Sequence, residues 1–157
     1  MKRKRLLAIL ILPFVLFSCN KDDGPYVSVK SIENLIYLSI LDYRIENGFD
    51  GPFVHQYFVV GEAQVYSYKM ANGVEEVGTQ GLYEHWSNLN EKYSFYNQNA
   101  LVLKTDSYDA DVILTQLLQQ PDADSILLED LTQCGVGIES DTAGYNYVTI
   151  LLMKADS

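Results

Sequence analysis

The chain predicts an α+β fold, an α-β-α sandwich with a small antiparallel sheet between helices, and three observations carry that expectation. In Thr132 to Glu139, the apolar Cys134, Val136 and Ile138 alternate with Gln133, Gly135, Gly137 and Glu139, which is the period of a strand. After turn residues from Ser140 to Gly144, the stretch Tyr145 to Met153 returns with apolar residues in both parities: Tyr147, Leu151 and Met153 against Val148, Ile150 and Leu152. A strand apolar on both faces must be covered on both faces. Four helical patterns upstream supply the covers. The glycine face of the first strand can admit another backbone closely.

Ser31 is the expected N-cap of the first helix, whose apolar positions Ile32, Leu35, Ile36, Ile40 and Tyr43 follow helical spacing, widened by Leu38, Leu41 and Ile45. Asn47-Gly48 closes it as a C-cap. Gly51-Pro52 marks a break, and a second helical pattern runs from about Phe53 through Val59, Val60, Ala63, Tyr66 and Met70 to Asn72-Gly73. Gly61 within it reads as a close-packing point, since glycine costs a helix about 1 kcal/mol relative to alanine. From Gly81 a shorter pattern offers Leu82, Trp86 and Leu89, and Ala100 to Leu103 is a candidate third strand. Asp106 or Ser107 is the expected cap of a fourth helix, with Asp109 and Asp111 in its first turn and an apolar stripe of Ile113, Leu114, Leu117 and Leu118. Pro121 stops that helix, and a turn through Ser125 to Leu131 leads into the hairpin.

The first residues read as an address. Lys2-Arg3-Lys4-Arg5 precedes an apolar run from Leu6 to Phe17, a basic n-region and a short h-region. A membrane-spanning helix, the alternative, needs roughly 20 apolar residues; this run is shorter and carries Pro13. Leu16-Phe17-Ser18-Cys19 resembles the lipobox of bacterial lipoproteins, with Phe17 bulkier than the usual occupant. The resemblance implies that residues 1–18 are a signal peptide and that Cys19 is diacylated. Two acyl chains suffice for stable anchoring, so the membrane is an expected partner through lipid. Lys21-Asp22-Asp23 resembles the signal that sends certain lipoproteins to the outer face of the outer membrane; read alternatively, it is a solvated tether. Residues 19–30 form the tether and 31–157 the domain.

Removing residues 1–18 of the 157 leaves 139, enough for one domain. It also removes four of the 11 Lys+Arg and none of the 21 Asp+Glu, taking the formal charge from −10 to −14. Such a surface repels phosphate backbones, so nucleic acid is excluded as a partner. With Cys19 taken by lipid, Cys134 stands alone on the inward parity of its strand and reads as a buried small hydrophobe. His55 and His85 are the only histidines, too few with Cys134 to suggest a metal site, and His85 reads as a polar helix-surface residue. Asp109-Ala110-Asp111 and Asp122-Ala123-Asp124 have part of a calcium-loop spacing but lack its glycine and terminal glutamate. No nucleophile-elbow pattern frames a serine.

Taken in order, several stretches resemble the CAP superfamily, the SCP-like extracellular domain shared by cysteine-rich secretory, venom-antigen and pathogenesis-related proteins. They are Tyr43-Arg44-Ile45-Glu46-Asn47-Gly48, Ala63-Gln64, Met70-Ala71-Asn72-Gly73, Gly78 to Leu82, Trp86-Ser87-Asn88-Leu89, Pro121 and Gly135-Val136-Gly137. The resemblance covers Ile32 to Met153 and implies an α-β-α sandwich. Intact members hold two histidines and two acids that can bind a divalent metal; the matching positions here are Thr79, Gln98, Gln120 and Ala123. None of these side chains is a zinc ligand, so a degenerate cleft without metal or other cofactor is expected. Two functions remain open. One is a non-catalytic, surface-anchored module that holds a peptide, lipid, glycan or other small ligand in the former cleft, lined by amides and some of the 12 tyrosines. The other is an extracytoplasmic hydrolase with an unrecognised site.

Overall fold

The computed structural model describes residues 28–155. The stretch read as a signal peptide, Cys19 and the residues up to 27 read as a tether lie outside the described residues. Among those described, no helix is long and apolar enough to cross a membrane.

Helix α1 (Ser31–Glu46) is followed by a two-residue strand β1 (Val54–His55), helix α2 (Tyr57–Ala71), a 3-10 turn (Gln80–Leu82) and helix α3 (Tyr83–Lys92). Strand β2 (Phe95–Thr105), helices α4 (Ala110–Leu117) and α5 (Ala123–Leu127), and the hairpin β3 (Gln133–Ser140) and β4 (Asn146–Ala155) complete the chain. The sheet runs β1-β3-β4-β2, antiparallel except for β1 against β3. It is therefore a small mixed sheet inside the α-β-α sandwich, the antiparallel core extended by one short parallel edge.

The two parities of β4 divide the core. Val148, Ile150 and Leu152 join Cys134, Val136 and Ile138 under α1, α4 and α5, where Ile32, Ile36, Ile40, Ile113, Leu117 and Leu127 pack. Tyr147, Leu151 and Met153 face the other way, against Val59, Ala63, Tyr66 and Met70 of α2 and Leu82 and Leu89 beside it. Gly135 and Gly137 let α2 lie directly on β3: a β-carbon at either would fall inside 3.0 Å of the backbone at Val59 or Ala63. The close approach of helix to sheet is thus made from the strand, while Gly61 is partly exposed.

Several expectations are corrected. The second helix begins at Tyr57, not Phe53, because Val54 and Gln56 donate their N–H groups to Thr132 and Cys134 carbonyls (both 2.9 Å) and so join the sheet. The cap of α1 is Lys30, with Ser31 already helical; the Lys30 N–H donates to Glu33 Oε2 at 2.7 Å, the return half of a capping box. Asp109, rather than Asp106 or Ser107, caps α4, its carboxylate accepting from the N–H groups of Asp111 and Val112. The turn before the hairpin contains α5, entered through Asp122 in the left-handed region (φ 62°). The third strand extends well beyond Ala100 to Leu103, and Leu35, Leu38 and Ile45 of the widened α1 stripe are exposed. On α1 the buried positions between the isoleucines are instead polar. Glu33 is enclosed but accepts hydrogen bonds from Lys30 N, Gln64 Nε2 and Ile138 N, and burial still pushes its carboxyl up. Arg44 lies 4.3 Å over the Phe53 ring and donates to the carbonyls of Leu127, Glu129 and Leu131, tying α1 to the loop that enters β3.

Candidate functional site

The four positions singled out from the sequence do not converge. Ala123 is fully buried in the core beneath α1 and α4. Gln120 turns back to the sheet, its Nε2 donating to the Val102 carbonyl at 2.8 Å. Thr79 is exposed in the loop before α3, a loop fixed by the Tyr66 hydroxyl, which donates to Gly78 O (2.8 Å) and accepts from Gly81 N–H (3.3 Å). Gln98 shares the strand parity of Ala100 and Val102, which face the α2 side, whereas Leu101 and Leu103 face α1. Ala123 and Gln98 consequently sit on opposite faces of the sheet. Among the described residues no group of three His, Cys, Asp or Glu side chains is placed to hold a metal ion.

His85 is not on the helix surface: it is 1 % exposed, between α2 and α3. Nδ1 meets Glu62 Oε2 at 2.7 Å, Nε2 lies 3.4 Å from Lys69 Nζ, and the Tyr66 ring stands edge-on at 5.2 Å. Lys69 also pairs with Glu84 at 2.9 Å and holds that exposed carboxyl below its usual range. With both ring nitrogens engaged and the ring enclosed, His85 offers no atom to a substrate or a nucleophile; the cluster joins α3 to α2. His55 stacks on Tyr37 (centroids 4.6 Å apart) with Nε2 3.4 Å from the Val136 N–H, and burial lowers its pKa to about 4. Burial likewise pushes the Cys134 thiol far above its usual range, leaving no reactive thiolate.

What Gln98 does face is a groove between α3 and β2. Tyr83, Trp86, Ser87 and Asn90 recur at three- and four-residue spacing, so they form one outward stripe of α3. Phe95 and Gln98 supply the opposite wall from β2, with the Trp86 and Phe95 rings 6.1 Å apart. The groove encloses about 380 Å³, within the range of about 300–1,000 Å³ usual for small-molecule sites. Of its rings Tyr83 is 85 % exposed, while Trp86 and Phe95 are half-buried, packed in part against the core of α2, β2 and β4. The side chains of Ser87, Asn90 and Gln98 have no hydrogen-bond partner among the described residues, and no lining side chain is charged.

A larger groove of about 480 Å³ lies at the start of α1, between Val29, Asn34, Leu35, His55 and Tyr57. It lies where the chain enters the domain: Ser28 O accepts from Gln64 Nε2, and Lys30 Nζ donates to Ile138 O and pairs with Glu139. The strand register sets this entry apart from the α3–β2 groove. Ile138, Val148 and Leu103 stand abreast at one end of the sheet, and Gln133, Met153 and Gln98 abreast at the other. Five strand residues, about 17 Å, separate Ile138 from the level of Gln98, and β4 lies between β3 at the entry and β2 at the groove. The α3 wall runs back along α2, Glu84 beside Tyr83 pairing with Lys69.

No protein-family model matches the chain, and no curated protein matches it. Solved structures do. An outer surface protein of Borrelia burgdorferi superposes with a TM-score of 0.68 at 14% identity, over 83% of this chain and 97% of that one. An extracellular protein of Bacillus anthracis containing an SCP domain superposes with a TM-score of 0.58 at 15% identity, over 77% of this chain and 39% of that one. At such identities the likeness is one of fold. Together with the layer order and the two-faced hairpin, it establishes that this chain folds as a CAP-like, or SCP-like, domain.

Proposed function

We propose that the protein is a bacterial outer-membrane lipoprotein, anchored through Cys19, whose CAP-like domain faces the cell exterior and binds a ligand non-catalytically in the α3–β2 groove. The observation that carries the reading is that entry and groove lie on different sides of the sheet: the chain enters beside β3, at Ile138 and Glu139, and the groove is walled by the far edge strand β2, with β4 between them. A domain tethered beside β3 holds its β2 edge toward the medium. The surface and extracellular descriptions of the two structural neighbours agree with that placement. Binding rather than catalysis is supported by what lines the groove, rings, amides and one hydroxyl, none of which moves a proton readily near neutral pH.

Trp86 is the sole tryptophan of the chain, so its emission reports on the groove without a label. Full-length protein in mild detergent is titrated with soluble oligosaccharides, short peptides and dihexanoyl phosphatidylcholine. The reading requires a saturable change with at least one class, weakened by Tyr83→Ala. Silence of Trp86 toward all three would overturn it.

A further inference from the structure

We infer that the ligand class of the α3–β2 groove is an uncharged carbohydrate, an inference that rests on the binding reading above and names its chemistry. A sugar ring has one face of C–H groups and an edge of hydroxyls that both donate and accept. The groove answers both. The exposed Tyr83 ring is free to stack on the C–H side, with the half-buried Trp86 and Phe95 rings lining the groove beside it, and aromatic residues with one wet edge suit such a half-polar partner. The Asn90 and Gln98 amides each carry two donors and an acceptor, and Ser87 adds a hydroxyl; all lack partners among the described residues and can serve hydroxyls in either direction.

Other classes fit less well. An anionic ligand would find no cation in the lining and an acidic protein around it, formal charge −10 over the whole chain. An acyl chain would strip water from Asn90, Gln98 and Ser87 and return no hydrogen bond, a penalty for each group. An extended peptide is best held at a sheet edge through backbone pairing, but the free edge of β2 is occupied next to the groove. Asn99 Oδ1 accepts from the Ala100 N–H at 3.0 Å, and Gln120 Nε2 donates to the Val102 carbonyl at 2.8 Å. Gln120, matched in the sequence to a metal-site position, thus closes the edge against strand addition.

The test uses the full-length protein in detergent and Trp86 emission. The probes are the hexasaccharides of the malto-, cello-, xylo-, manno- and chito- series, a heparin hexasaccharide, and a hexapeptide of Gly, Ser and Leu. The expected result is a saturable shift with at least one neutral series and none with heparin. Tyr83→Ala and Gln98→Ala should each weaken it about tenfold, one lost partner in each case, with melting temperature unchanged for the exposed Tyr83. Tyr145→Ala, an exposed tyrosine at the other end of the sheet, should leave it unaltered. A response to heparin or the peptide with none to any neutral sugar overturns the carbohydrate assignment and leaves the groove-binding reading standing. Neutral-sugar binding that survives Tyr83→Ala and Gln98→Ala places the sugar elsewhere and overturns the site.

Discussion

Gly135 of β3 and Val59 of α2 touch through their backbones: a β-carbon on Gly135 would fall inside 3.0 Å of the Val59 carbonyl carbon, closer than real side chains come. Gly137 repeats the relation one helical turn on, at Ala63. Helix α2 also carries Glu62 and Lys69, which hold His85 and so seat α3, one wall of the groove. Backbone cannot yield as a flexible side chain does, so Gly135→Ala or Gly137→Ala should cost about 3 kcal/mol or more in urea unfolding, at or beyond the upper end of overpacking effects. Gly51→Ala, where the added carbon meets nothing within 4 Å, should be near neutral.

Arg44 is the second anchor. Its guanidinium serves three carbonyls on the loop from Leu127 to Leu131 and lies over Phe53. Lysine is a point donor and cannot match a planar fork. Arg44→Lys should therefore lose about 2 kcal/mol, and amide exchange should rise first in residues 127–131. Unchanged exchange there would show that the loop does not depend on this contact.

Acid should weaken the fold through His55. The unfolded chain takes this proton near the ordinary value of 6.5, whereas the folded chain, with the ring half-buried against Tyr37, takes it only at about 4. Protons thus favour the unfolded state between those values, and the contribution is intact above 6.5 and lost as pH falls toward 4. Because the ring is partly solvated, the loss is on the order of 2 kcal/mol. His55→Phe keeps a stacking ring without the proton, so its melting temperature should fall less than the wild type's between pH 7 and pH 5. Parallel curves would contradict this.

Much of the fold is legible in the sequence for a physical reason: a long strand buried on both faces must write both parities, as Tyr147 to Met153 does. Val54-His55 and Ala123 to Leu127 are too short to show any period, and Lys30 caps α1 through its main chain, which side-chain chemistry does not announce. The site was half legible. Gln98 was singled out only as a former metal-cleft position, and its groove neighbours not at all, although Tyr83, Trp86, Ser87 and Asn90 write an outward stripe on α3. His85 was misread because its burial depends on Glu62 and Lys69, more than a dozen residues away.

The proposed lipid anchor at Cys19, outside the described residues, is open to direct test. Cells fed labelled palmitate should incorporate it into the wild-type chain and not into Cys19→Ala, and the variant should no longer carry lipid into the outer-membrane fraction. Equal labelling of the two would refute the lipobox reading.

The central claim, a domain tethered beside β3 with its groove on the β2 edge, can be measured with two reporter cysteines. Cys134 is buried, and Cys19, when lipidated, has no free thiol. Asn90→Cys marks the groove, and Tyr68→Cys marks the entry side, where Tyr68 lies beside Lys30 and Glu139. A bulky, membrane-impermeant maleimide is added to intact cells and the two labelling rates are compared. The account predicts that Asn90→Cys labels without permeabilisation and several-fold faster than Tyr68→Cys. Labelling of Asn90→Cys only after the envelope is opened, or equal rates at the two positions, would contradict it.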